Sequence, residues 1–170
     1  MSIGDKIKHA ISDGRLHRYV PAFPDPDFRV ERHIFMSQEA WQQCPPSGPS
    51  SIRSFRGLSL DQARADLEAF VVGDEIVEDE DLKRLQPKDK EVWEIRVIGN
   101  RHVRLIGWFA APDNFVITHC ELRDKLKSDE DWERTIEKCD RKRREQLNDL
   151  PVFHGSKFTD YVTRRGVPAE

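Results

Sequence analysis

The strongest alternation of apolar and polar positions lies between residues 93 and 122. Trp93, Ile95 and Val97 alternate with Glu94, Arg96 and Ile98, the period-two pattern of a strand. Gly99-Asn100 follows as a two-residue hairpin turn. Val103, Leu105, Gly107 and Phe109 then alternate with Arg104, Ile106 and Trp108. Residues 111–114 (APDN) supply a second turn, and residues 115–120 (FVITHC) a third strand. The pattern predicts an antiparallel meander. Ser128 and Asp131 then open a helix, with Trp132, Ile136, Cys139 and Leu147 roughly on one face and charged residues elsewhere.

Helical spacing dominates upstream. Ser59 and Gln62 have capping-box spacing, Leu60, Ala63, Leu67, Phe70 and Val71 follow at helical intervals, and Gly73 ends the run. The acidic run Glu78–Asp81 leads into a predicted short helix through Leu82 and Leu85, limited by Pro87. Nearer the N-terminus, Ile3, Ile7 and Ile11 suggest a short helix, and residues 29–36 (RVERHIFM) a weak strand. Prolines within residues 21–26 exclude regular helix there, and residues 44–54 read as a loop. The expected class is α+β: a small antiparallel meander packed by two N-terminal helices and a C-terminal amphipathic helix. The expected division is an N-terminal extension (1–55), a folded domain (56–147) and a tail (148–170) anchored by Val152, Phe153, Phe158 and Tyr161.

Composition narrows the class. The 170 residues fit one ordinary domain with extensions. Four Trp and nine Phe argue against a disordered chain. Cys44, Cys120 and Cys139 have no disulfide or zinc spacing, and the histidines and acids show no metal-ligand pattern. Neither a signal peptide nor a run of about 20 apolar residues is visible. A soluble cytoplasmic protein with reduced thiols, no metal, no cofactor and no membrane partner is expected. The net charge of −3 argues against bulk coating of nucleic acid. Its distribution is uneven: residues 56–92 hold six basic and eleven acidic residues, whereas residues 93–127 hold six basic and four acidic ones. A local anion site on the predicted sheet is compatible with that balance.

The order and local text of residues 58–147 resemble the RelE/HigB-like toxin superfamily, in its phage-derived HigB-like branch. The resemblance rests on Trp93-Glu94-Ile95-Arg96 in one strand, His102-Val103-Arg104-Leu105-Ile106 in the next, and Val116-Ile117-Thr118-His119 before a basic segment with Arg123, Lys125 and Lys127. It extends over 29–147 if residues 29–36 form the first strand. The family's Tyr before the third-strand Arg is absent, and its Lys-Lys pair reads Arg123-Asp124. The resemblance implies the toxin of a type II toxin–antitoxin module: a metal-independent mRNA endoribonuclease that inhibits translation. It also implies a cognate antitoxin, with a helix-turn-helix domain, and mRNA on the ribosome as partners. Arg96, Arg104 and His119 are the implied catalytic residues, and His102, Arg123, Lys125 and Lys127 the implied RNA contacts. The alternative on the same fold is a non-catalytic interaction module within a larger assembly.

Cleavage of RNA without a metal needs a base for the 2′-OH, cations for the phosphorane and an acid for the 5′-oxygen. Guanidinium suits the second task because it binds two phosphate oxygens at once. Counted from a two-residue turn at Gly99-Asn100, however, Val97 faces His102, Arg96 faces Val103 and Ile95 faces Arg104. The two arginines then point to opposite faces unless a bulge intervenes. Arg96 and Arg104 also have structural readings as ion pairs, His119 as a satisfied polar residue, and the Arg141–Arg144 run as an exposed helix face. Trp93, Trp108 and Trp132 are read as core in preference to base-stacking platforms.

Overall fold

The computed structural model describes residues 1–163. Their elements run α1 (Ile3–Ser12), β1 (Leu16–Arg18), β2 (His33–Ser37), α2 (Gln38–Gln43), α3 (Leu58–Val71), β3 (Leu82–Arg84), β4 (Trp93–Val97), β5 (Val103–Ala111), β6 (Asn114–Leu122), α4 (Asp129–Gln146) and α5 (Phe158–Tyr161). The strands form one six-stranded sheet in the order β1-β2-β6-β5-β4-β3. The α+β class and the β4-β5-β6 meander are as expected. The sheet is larger and mixed, because β2 lies parallel to β6. Residues 1–55, read as an extension, thus contribute two strands and two helices to the same body. No helix among the described residues is long and apolar enough to cross a membrane.

The sheet is covered on both faces. One face carries Ile34, Met36, Ile95, Val97, Leu105 and Ile117 under α3 and residues of the C-terminal segment. The other carries Phe35, Ile106, Trp108 and Val116 under α1 and α4. Double burial explains why β5 is buried from Val103 to Ala110, since a strand covered on both sides loses its polar face.

It also explains the error at residues 82–85. Leu82 and Leu85 have helical spacing, yet Leu82–Arg84 is a strand paired with β4. Positions three apart on an extended chain point to opposite faces. Leu82 accordingly enters the α3-side core and Leu85 the α4-side core. Two apolar cores satisfy the spacing that one helix face would have satisfied.

The predicted two-residue hairpin is also replaced. Val97 pairs with Val103, so residues 98–102 form a five-residue loop, and neither Gly99 nor Asn100 has positive φ. The loop lies on the first turn of α3, where Arg101 N donates to Ser59 Oγ at 2.9 Å. Ser59 therefore does not cap α3; the N-cap is Gly57, which has no side-chain cap bond. Gly73 does follow the end of α3 in the left-handed region, with φ of 84°. The capping box at Ser128 and Asp131 forms as expected.

The C-terminal segment is structural over its described length; residues 164–170 of the expected tail lie outside it. Tyr161 is buried against Trp93, Phe109 and Phe153. Its hydroxyl donates to the buried Glu91 carboxylate, at 2.9 Å from Oε2, and accepts from Gly155 N at 2.8 Å. Arg84 also binds Glu91. Tyr161→Phe should cost about 1–3 kcal/mol, because it removes a neutral donor from a buried carboxylate; urea unfolding measures the loss.

Gly107 sits where β5 and β6 shift register. A Cβ there would lie 1.9 Å from the Val116 carbonyl oxygen. Gly107→Ala should therefore destabilise the protein by about 3 kcal/mol, since the obstruction is backbone and cannot rotate away. An unchanged urea midpoint would show that the bulge yields.

Candidate functional site: an arginine-lined cleft

Arg96 lies directly opposite Arg104 across the β4-β5 ladder. This corrects the register counted from a two-residue turn. The longer loop brings both arginines to one face without a bulge between β4 and β5. Glu94 shares that face, two residues before Arg96. Its Oε2 lies 3.2 Å from Arg104 Nε and its Oε1 lies 3.6 Å from Arg96 Nε. Like charges directly opposite one another destabilise a sheet, and the carboxylate offsets that repulsion.

α4 covers only part of this face. Between its N-terminal half and the edge of the sheet lies an open cleft of about 670 Å³. Glu94, Arg96, Arg104 and Arg123 line the cleft. One wall is Lys83 with Leu85, Gln86 and Pro87; the other is Asp129, Trp132, Glu133 and Ile136. Arg123 stands over the Trp132 ring, 5.6 Å from its centroid, and donates to Leu126 O at 2.5 Å.

The cleft's polar groups are incompletely paired. Arg104 and Glu94 are buried, and their 3.2 Å contact lacks hydrogen-bond geometry. Arg104 Nε, Arg96 Nε and Glu94 Oε2 therefore have no hydrogen-bond partner. Arg96 is also held through Asp79 O, and Arg104 donates to Val103 O at 3.1 Å. Burial pushes the Glu94 carboxyl above its ordinary range, against the pull of Arg104 and Arg96. A carboxylate so placed has raised basicity, and the guanidinium groups beside it are suited to an anion.

His119 does not join the cleft. It is completely buried between β6 and α4. Thr118 Oγ1 donates to Ile106 O at 3.1 Å and so accepts from His119 Nδ1 at 2.9 Å. His119 Nε2 then accepts from Thr135 Oγ1 at 2.7 Å. Both ring nitrogens are satisfied in the neutral form, and burial, with Lys138 and Lys142 nearby, pushes the pKa down to about 3. The expected catalytic histidine is a sealed structural one, because α4 packs directly over the end of β6.

The expected RNA contacts divide. Arg123 reaches the cleft, whereas His102 lines a separate depression with Arg101, Asp124 and Arg123. Lys125 and Lys127 are exposed along the connection to α4 and line neither hollow. In the Arg141–Arg144 run, Lys142 binds Glu39, Arg143 binds Asp140, and Arg144 binds Glu137 and Asp140. Sequence reasoning gave Glu94 no catalytic role, left out Lys83 and read Trp132 as core. The first had a usable signal, since a glutamate two residues before an arginine in a strand must share its face.

The buried His119 fixes a pH dependence. Its folded pKa lies below the unfolded value of about 6.5, so the unfolded state binds the extra proton. Its stabilisation is complete above the unfolded pKa and is lost as pH falls from there toward about 3. The loss between pH 7 and pH 5 should be about 2 kcal/mol. His119→Gln should lack this component in urea unfolding at the two pH values; an identical pH dependence would contradict it.

The chain matches no family model, no curated protein and no solved structure with which it was compared.

Proposed function

We propose that the arginine-lined cleft binds and cleaves RNA without a metal, and that the protein is the toxin of a type II toxin–antitoxin module. The observation that carries this reading is the direct opposition of Arg96 and Arg104 beside a buried, under-bonded Glu94. Two guanidinium groups on one face supply the cations that a phosphorane requires. Glu94, made more basic by burial, takes the proton of the attacking 2′-OH. The 2′-oxygen bonds to phosphorus as the bond to the 5′-oxygen breaks. Lys83, exposed on the cleft wall, protonates that leaving oxygen. Glu94 thus takes the role expected of His119, which is sealed away from solvent.

In this reading the protein works in the cytoplasm on mRNA, with the ribosome presenting the strand. A cognate antitoxin with a helix-turn-helix domain silences it by covering the cleft. The non-catalytic alternative draws support from the ion pairing of Arg104 with Glu94, which gives both residues a structural use.

The test is incubation of the purified protein with translating ribosomes and an mRNA. Cleavage is expected, falling about 100-fold in Arg96→Ala, as loss of a transition-state contact does. Arg104→Lys, which keeps the charge beside Glu94 but loses the two-pronged donor, should fall similarly while its near-ultraviolet circular dichroism stays native. Intact mRNA with the wild-type protein, together with normal growth on induction, would overturn the proposal.

A further inference from the structure

Trp132 is the half-buried tryptophan of the α4-side core, whereas Trp93 and Trp108 are fully buried. It forms part of the cleft wall, with the Arg123 guanidinium over its ring. An indole and a guanidinium are both groups on which a nucleobase stacks. Leu85 and Pro87 add apolar surface to the lining of the same cleft. The cleft therefore has two chemically distinct parts: a cationic floor at Arg96 and Arg104, and a flat, partly apolar slot beside it. A nucleotide has the same two parts, a phosphate and a planar base.

From this division we infer that the slot holds an unpaired nucleobase, stacked on the Trp132–Arg123 surface while the adjoining phosphate meets Arg96 and Arg104. The inference rests on the RNA reading of the cleft and adds how that RNA is held. Duplex RNA is excluded, because a base can enter a slot beside its own phosphate only when it is unstacked and unpaired. The slot also selects among bases. Asp129 and Glu133, on the same helix as Trp132 and lining the cleft with it, accept but cannot donate when ionised. They favour adenine, cytosine and guanine, whose exocyclic amino group donates at the base edge, over uracil, whose one base donor is the ring N3–H.

The experiment uses the full chain and short single-stranded oligonucleotides with 2′-O-methyl sugars, which bind but cannot be cleaved through the 2′-oxygen. Fluorescence anisotropy of a labelled oligonucleotide gives affinity, and tryptophan quenching gives the position of the base. Adenosine and cytidine oligomers should bind and quench, uridine oligomers should bind about tenfold more weakly, and a matching duplex should bind weakest. Trp132→Leu keeps an apolar side chain in the core and should lose about tenfold in affinity, within the range for removing a stacked aromatic. Trp132→Phe should keep affinity within about twofold.

Wild-type affinity in Trp132→Leu, or tight duplex binding, would overturn the slot. Equal binding of uridine oligomers would overturn the role of Asp129 and Glu133. Base-dependent binding without mRNA cleavage would support the slot and sink the nuclease. Cleavage that survives Trp132→Leu, with affinity unchanged, would do the reverse.

Discussion

The pairing of Ile95 with Leu105 is the contact on which the rest of the site depends. Both side chains enter the core beneath α3. Slipping β5 by one residue would set Arg104 opposite Ile95 and drive a guanidinium into that core. A buried unpaired charge costs several kcal/mol, so the apolar face selects the register. The loop between the strands must then span five residues, and the amide of Arg101 finds Ser59 on α3. The opposition of Arg96 and Arg104 on the other face follows from what the core requires.

That opposition is not what stability alone would favour. Two like charges face each other across a ladder, and the carboxylate between them is itself desolvated. A structure that keeps such a conflict retains it at a cost, and conflicts of this kind concentrate at sites of function. The contrast with the Glu91 cluster is informative. There a buried carboxylate receives Tyr161 and Arg84, with Trp93 Nε1 at 3.4 Å, and is well bonded. Glu91 closes the C-terminal segment over the sheet, whereas Glu94 stays buried and under-bonded at the floor of a cleft.

α4 decides which polar groups on its face can act. Over the end of β6 it packs tightly enough for Thr135 to bond His119, and that imidazole becomes part of the core. Its N-terminal half stands clear of β4, leaving Arg96 and Arg104 at the floor of the cleft and Trp132 in its wall. The same helix thus closes one candidate group and exposes others. In its C-terminal half, Lys142, Arg143 and Arg144 are paired with Glu39, Glu137 and Asp140, whereas Arg141 is exposed.

The sequence by itself determined the local elements whose signals are short-range. The meander strands, α3 with its glycine stop and α4 with its capping box are all visible in spacing and cap chemistry. Glu94 and Arg96 on one face follow from the period of a strand. Only the tertiary structure decided the rest. Leu82–Arg84 became a strand because two cores, one on each face, receive Leu82 and Leu85 separately. The hairpin lengthened because α3 lies against its loop. His119 was removed from the surface and Trp132 left on it by where one helix crosses the sheet. The physical reason is common to all three. Periodicity along a chain records that a side chain is buried or exposed, but not which element covers it, and the chemistry of Arg96, Arg104 and Glu94 depends on that cover.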